Sequence, residues 1–257
     1  MFAARRRVKS GIEREGVRRA QRAAEAGMSA AARILLEAEP GEGAVLIDGE
    51  PLTCERIKAA IRIAITECGA LAQDMIVSHG AQTAIGHERG SGSIAPGEPV
   101  LVDLWPVDAE SGCFADMTRT FVVGEADPEL LAWHGLCVEA LERAVQATRP
   151  GMRGRALYEL VCDLFQAHGH PTQLSKSPGT TLRDGFFHAL GHGVGLEPHE
   201  APNVGRSQTD ELVEGDILAL EPGLYRSGFG GCRVEDIVRV TRDGAERLTG
   251  FSYELLP

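Results

Sequence analysis

Two hydrophobic textures alternate along the chain. From Val8 to Ala38 the sequence is rich in Ala, Arg, Glu and Leu, contains no proline, and predicts one long helix ended by Pro40-Gly41. Ile57, Ile61 and Ile65 recur at a four-residue spacing, which puts them on one face of a second helix from Thr53 to Cys68, closed by Gly69. Between residues 74 and 123 the apolar runs are short (Met75-Val77, Val100-Leu104, Phe121-Val123) and are separated by glycines and prolines, as in strands and turns. Helical texture returns from Pro128 to Ala147 and from Gly154 to Ala167, on either side of Pro150-Gly151. Ile217-Leu220 and Val234-Val240 are the clearest strands of the remainder.

The order helices, strands, helices, strands is echoed by individual residues. Gly97-Glu98-Pro99-Val100-Leu101-Val102-Asp103 can be laid on Gly215-Asp216-Ile217-Leu218-Ala219-Leu220-Glu221, and Gly112-Cys113-Phe114-Ala115-Asp116 on Gly231-Cys232-Arg233-Val234-Glu235. Each half therefore carries two acidic residues at matched places. A duplicated unit folded about a pseudo-twofold axis accounts for both alignments.

Length and composition suit one compact domain over residues 1–257. Hydrophobic residues make up 43%, charged residues 25%, and 31 glycines supply many tight turns. The formal charge of -11 would repel a phosphate backbone, so nucleic acid is not an expected partner. Arg5, Arg6, Arg7 and Lys9, with Arg14, Arg18, Arg19 and Arg22, alternate with Glu13, Glu15 and Glu25, which reads as a solvated helix face. The six cysteines include no CxxC pair and are expected to be reduced thiols of a cytoplasmic protein. No apolar run of signal-peptide or membrane-helix length is present, so neither export nor membrane association is expected.

Asp103 ends one apolar strand, and Glu221 ends another just before Pro222-Gly223. Carboxylates are rarely buried unless they are paired or bind a cation, because removing the charge from water is too costly. Four converging acids would repel one another; two divalent cations resolve the conflict. A nitrogen donor is available in Phe187-His188-Ala189-Leu190-Gly191-His192-Gly193-Val194-Gly195, and His199 follows in Glu197-Pro198-His199-Glu200. The glycines there lack dinucleotide-loop spacing, and Pro198 and Pro202 interrupt the helix such a loop would need. Oxygen ligands with one imidazole suit manganese better than a thiolate zinc site. Two such ions activate a shared water as hydroxide and polarise a carbonyl, so hydrolysis is the natural reaction class.

Asp103, Asp116-Met117-Thr118-Arg119-Thr120, His188-x-x-Gly191-His192-Gly193-x-Gly195, Pro198-His199-Glu200, Glu221-Pro222-Gly223 and Arg233-x-Glu235-Asp236 together resemble the ordered motifs of the methionine aminopeptidase, prolidase and aminopeptidase P family. The resemblance runs from the first long helix to Gly250. It implies the pita-bread α/β (α+β) fold, with two pseudo-twofold-related halves of curved antiparallel sheet flanked by helices around a dinuclear centre. It also implies that Asp103 binds one metal, that Asp116 and Glu235 bridge both, and that His192 and Glu221 complete the shell of the second metal. By the same resemblance His199 meets the substrate carbonyl, Glu221 assists proton transfer, and His87 stands on the substrate side. His188 and Arg233 match the proline-directed branch, which implies cleavage of Xaa-Pro peptides with two divalent ions, manganese first and cobalt or zinc as alternatives.

The chain departs from the family pattern in two places. Asp103-Leu104-Trp105-Pro106 replaces the usual Asp-x-Gly, and the interval to Asp116 is two residues longer than usual, so Trp105 is expected to reshape the pocket. The N-terminal domain of prolidases and aminopeptidases P has no counterpart in these residues, which leaves peptide length and a possible homodimer open. Three alternatives remain at this point: a methionine aminopeptidase-like exopeptidase, a lyase or hydrolase acting on a non-peptide substrate, and a catalytically silent peptide-binding relative.

Overall fold

A computed structural model describes residues 2–256. Helix α2 (Gly11–Glu37) is the long helix expected from Val8 to Ala38, begun three residues later, and a separate short helix α1 (Phe2–Arg7) precedes it. The break is built by Ser10, whose hydroxyl accepts from the Glu13 amide at 3.2 Å while its own amide donates to the Glu13 carboxylate at 2.7 Å. This reciprocal cap satisfies two amides that a continuous helix would not leave free, and so fixes the start at Gly11. Helix α3 (Cys54–Glu67) starts on a Thr53 cap and buries Ile57, Ile61 and Ile65 against α2. Gly27 makes that contact close, since a Cβ there would stand 3.0 Å from Ile65. Helices α4 (Pro128–Ala147) and α5 (Gly154–Ala167) match their predicted bounds.

The strands that build the site are β1 (Met75–His79), β2 (Pro99–Leu104), β3 (Met117–Val122), β4 (Gly191–Gly193), β5 (Glu200–Val204), β6 (Ile217–Leu220), β7 (Gly223–Arg226), β8 (Gly230–Arg233), β9 (Asp236–Val240) and β10 (Ala245–Arg247). The first half forms an antiparallel sheet in the order β1-β2-β3. The second forms the order β5-β4-β6-β9-β10, whose centre, β4-β6-β9, repeats that plan. Each three-stranded unit follows a helix pair, α2 and α3 or α4 and α5, as the duplicated sequence implied.

Two strands differ from expectation. β3 begins at Met117 because its polar residues are buried and bonded to the other half: Arg119 donates to the Glu235 carbonyl at 2.8 Å, and the Thr120 hydroxyl accepts from the Arg233 amide at 3.1 Å. The run Val234-Val240 is interrupted, since Val234 and Glu235 lie between β8 and β9. There the Glu235 amide crosses to the Thr118 carbonyl at 3.0 Å.

Two apolar cores lie under the two helix pairs and meet at β6. Ile217 and Ala219 enter the first core; Leu218 and Leu220 enter the second. Burial on both faces is why this strand is apolar at every position.

The basic start of the chain is not a solvated face throughout. Lys9 donates to Glu200 at 2.6 Å, Arg6 reaches the same carboxylate at 2.7 Å, Arg7 is bidentate on Asp216, and Arg19 is bidentate on Asp108. Glu200 and Asp216 expose 5% and 0% of their side chains, and carboxylates so placed require cations. Arg18 and Arg22 keep the exposed character expected of them. All six cysteines are free thiols, and among the described residues no helix is long and apolar enough to cross a membrane.

Candidate metal centre

Strand alternation positions the first carboxylate. Val100, Val102 and Leu104 of β2 enter the first core, so Asp103 projects from the opposite face. Asp116 directly precedes β3, Glu221 directly follows β6, and Glu235 occupies the bend between β8 and β9. His192 is the middle residue of β4, with its flanking glycines pressed on neighbouring backbone. A Cβ at Gly191 would stand 2.0 Å from the Ala219 carbonyl oxygen, and one at Gly193 would stand 2.5 Å from that of Ala201. These glycines let strands approach, rather than letting backbone approach a ligand. All five side chains line one cavity of about 620 Å³, together with His87, His188, His199 and Arg233. Every residue singled out from the sequence is brought to this one place.

Within the cavity the donors form three overlapping groups, one of them Asp116, His192 and His199. Asp103, Asp116 and Glu235 can bring oxygens within 4.8 Å of one another, and so can donor atoms of His192, Glu221 and Glu235. Glu235 belongs to both of these. Asp116 links them as well, with Oδ2 at 3.7 Å from His192 Nε2, and Glu221 Oε1 lies 3.8 Å from the same nitrogen. The Arg233 guanidinium holds Asp103 Oδ2 at 2.5 Å, whereas Asp103 Oδ1 is buried with no hydrogen-bond partner among the described residues. The His199 ring lies over His192 with centroids 3.9 Å apart.

The electrostatics report a shortage of positive charge. Burial, reinforced by the neighbouring carboxylates Glu235, Asp103 and Glu221, pushes Asp116 well above the usual carboxylate range. Glu235 is raised for the same reasons, and burial lifts Glu221 to about 7 against the opposing pull of Arg233. Burial also lowers His192 to about 3, followed by the repulsion of His199, so its imidazole is neutral and free to donate a lone pair.

Several participants were not singled out from the sequence, Thr118 being quoted only as part of a motif. Thr118 donates to Glu235 at 2.7 Å and accepts from Arg233 at 3.2 Å, tying an acid of one half to a base of the other. Tyr225 on β7 lies 3.1 Å from Arg233 and 2.9 Å from His188 Nε2. His188 Nδ1 faces the Ala189 carbonyl at 2.7 Å, which can only accept, so Nδ1 carries the proton and Nε2 accepts from the Tyr225 hydroxyl. Gly223 makes room for that hydroxyl, as a Cβ would stand 2.4 Å from it. The Gly223-Leu224-Tyr225 alternation after Glu221 was the one available hint of a side chain turned back toward the site. Lys9 and Arg6 act at one remove, through Glu200, the neighbour of His199.

Residues 15–242 match the Metallopeptidase family M24. The chain belongs to this family. Among relatives, the M24 chain is 36% identical to the Xaa-Pro dipeptidase of Pyrococcus furiosus over 184 residues, which are 71% of this chain and 49% of that protein. It is 32% identical to the Xaa-Pro dipeptidase of Lactobacillus delbrueckii subsp. lactis over 183 residues, 71% of this chain and 46% of that one. The chain thus spans about half the length of the curated relatives it matches. Solved structures agree on the architecture. The prolidase from Pyrococcus furiosus superposes with a TM-score of 0.81 at 29% identity, covering 98% of this chain and 67% of that one. The X-Pro aminopeptidase from Thermotoga maritima gives 0.83 at 26% identity, with 100% and 66% covered. The fold is the pita-bread α/β architecture that the motifs implied.

Membership of M24 implies divalent metal ions, and the residues present fit them. Four clustered carboxylates, a neutral imidazole and an orphaned buried oxygen on Asp103 form a hard, oxygen-rich donor set carrying more negative charge than Arg233 alone balances.

Proposed function

We propose that this chain hydrolyses the peptide bond between an N-terminal residue and proline, as a metallo-exopeptidase acting on Xaa-Pro peptides. The observation that carries this reading is the pair of donor groups sharing Glu235, with the Arg233-Tyr225-His188 chain beside them. Asp103, Asp116, His192, Glu221 and Glu235 would hold the two cations. Manganese suits this set best. Residues 2–256 act as one catalytic unit, a reading supported by Val194, Ile217, Ala219 and Ile237 of the second half packing into the core of the first.

Two bound divalent cations supply the charge that makes water a nucleophile near neutral pH and that polarises the scissile carbonyl. The remaining chemistry falls to the protein. Glu221, with its carboxylate open to the cavity, carries the proton toward the leaving nitrogen. His199 and His87 offer ring N–H groups to substrate oxygens from the rim. Arg233 neutralises Asp103 and fixes Tyr225, which in turn holds the His188 ring in one tautomer. The names of the Xaa-Pro dipeptidase relatives support the substrate class, as does His188, the sequence mark of the proline-directed branch.

Metal content is measured first. The manganese-loaded protein is then offered a Xaa-Pro dipeptide, a Xaa-Pro-Xaa tripeptide and a Met-Ala peptide. Cleavage of either proline substrate is expected; cleavage of Met-Ala alone overturns the proline assignment.

A further inference from the structure

The turn after Asp103 is where this chain leaves the family pattern, and its geometry gives that departure a use. Trp105 follows Asp103 by two residues, so strand alternation turns both side chains to the cavity while Leu104 between them is buried in the first core. Ile76 stands directly across from Asp103 in the β1-β2 pairing and projects from the same face. Its neighbours Met75 and Val77 belong to the first core; Ile76, only 3% exposed, belongs to neither core and lines the cavity. Asp103 therefore shares the cavity wall with an indole just past the end of its own strand and a branched aliphatic chain on the next.

This wall is rigid. The Ala115 amide donates to the Pro106 carbonyl at 3.1 Å, Val107–Asp108 pairs antiparallel with Ala70–Leu71, and Asp108 is clamped by Arg19 and by the Ser111 amide at 2.8 Å. A second apolar surface, Phe187 packed on Tyr225 with ring centroids 4.9 Å apart, stands beside His188.

An α-amine, once deprotonated, is a lone-pair donor to the cations that Asp103, Asp116 and Glu235 would hold, and the side chain on the same α-carbon would then fall against Ile76 and Trp105. We propose that Trp105 and Ile76 are the specificity wall for the residue on the amino side of the scissile bond, selecting aromatic and long aliphatic side chains over glycine. This inference rests on the Xaa-Pro reading for its substrates.

The test compares kcat/KM of the manganese-loaded protein for Phe-Pro, Leu-Pro, Ala-Pro and Gly-Pro in the wild type, Trp105→Gly and Trp105→Phe. In the wild type Phe-Pro and Leu-Pro are expected to exceed Gly-Pro by at least roughly ten-fold. Trp105→Gly should collapse that ratio, chiefly through KM, and Trp105→Phe should largely restore it. A wild type that prefers Gly-Pro, or a Trp105→Gly variant that lowers all four substrates in proportion, overturns the inference. A parallel measurement separates it from the peptidase reading: thermal stabilisation of the metal-loaded protein by free L-phenylalanine against glycine. Stabilisation by phenylalanine that Trp105→Gly abolishes supports the wall even if no Xaa-Pro peptide is cleaved, and equal stabilisation by both amino acids overturns it.

Discussion

The two halves share a strand plan and differ in what joins their paired carboxylates. In the first half, Asp103 and Asp116 are connected by a pinned turn that carries Trp105 and is held to α2 by Arg19. In the second, Glu221 and Glu235 are connected by the β7-β8 hairpin, which carries Tyr225 and Arg233. One connection presents an apolar wall; the other presents hydrogen-bond donors and a fixed cation. Duplication accounts for the symmetric acids, and the two connections make a symmetric cradle into a site with direction, which a peptide with distinct ends requires.

The largest break in that comparison comes from the acids that both halves share. Asp116→Ala should remove one carboxylate of the donor set and, with several kcal/mol of transition-state charge stabilisation lost, lower kcat by at least about 10³-fold. Metal analysis should record less than the wild-type content, and a variant that keeps full activity sinks the two-metal reading.

Arg233 tests the polar connection next. Arg233→Met leaves Asp103 without its cation and Tyr225 without its donor, so activity should fall roughly 10²-fold, the upper range for residues that orient ligands. Arg233→Lys should recover little, because an ammonium cannot reach Asp103, Thr118 and Tyr225 with one planar fork. Recovery of wild-type kcat by the lysine variant would count against this geometry.

Lys9 extends the comparison to the start of the chain. Lys9→Met breaks a buried pair with Glu200 and should lower kcat by roughly ten-fold with metal content retained, since Arg6 still holds Glu200 beside His199. Combining it with Arg6→Met should cost more than the two single losses predict, and simple additivity would argue that the two cations do not share a function.

The smallest expected effect is on stability. Glu221 titrates at about 7 in the folded chain, above its ordinary 4.5, and Asp116 and Glu235 are raised too. Groups raised on folding contribute stability that is fully present below their unfolded values and lost as pH rises through the folded ones. The chelated protein should therefore melt at progressively lower temperature from about pH 5 to about pH 8, and manganese should raise Tm more at the upper end, where the ligands are ionised. A flat or rising Tm without metal contradicts this.

Much of the centre was legible from residues alone, because motif chemistry is local. His188 and His192 flank Gly191 within one short segment, and the acids end apolar runs that a period-two pattern already marks as strands. Glu200 was legible only as part of a motif, and nothing near it in sequence says that Lys9 and Arg6 would hold it. The bend that aims Glu235 was hidden inside an apolar stretch read as one strand. Its cause is a backbone bond to Thr118 in the other half.

The sequence by itself determined the helix pairs, the duplicated strand plan, the donor set and the reaction class those donors suit. Periodicity, capping residues and ligand types are properties of neighbours along the chain, and they survive without knowledge of contacts. Tertiary structure alone decided that Arg233 neutralises Asp103, that Thr118 joins Glu235, and that Ile76 leaves both cores to stand beside Trp105. Those pairings depend on how strands from different halves are placed in register. Register is set by packing the whole molecule, which no local pattern records.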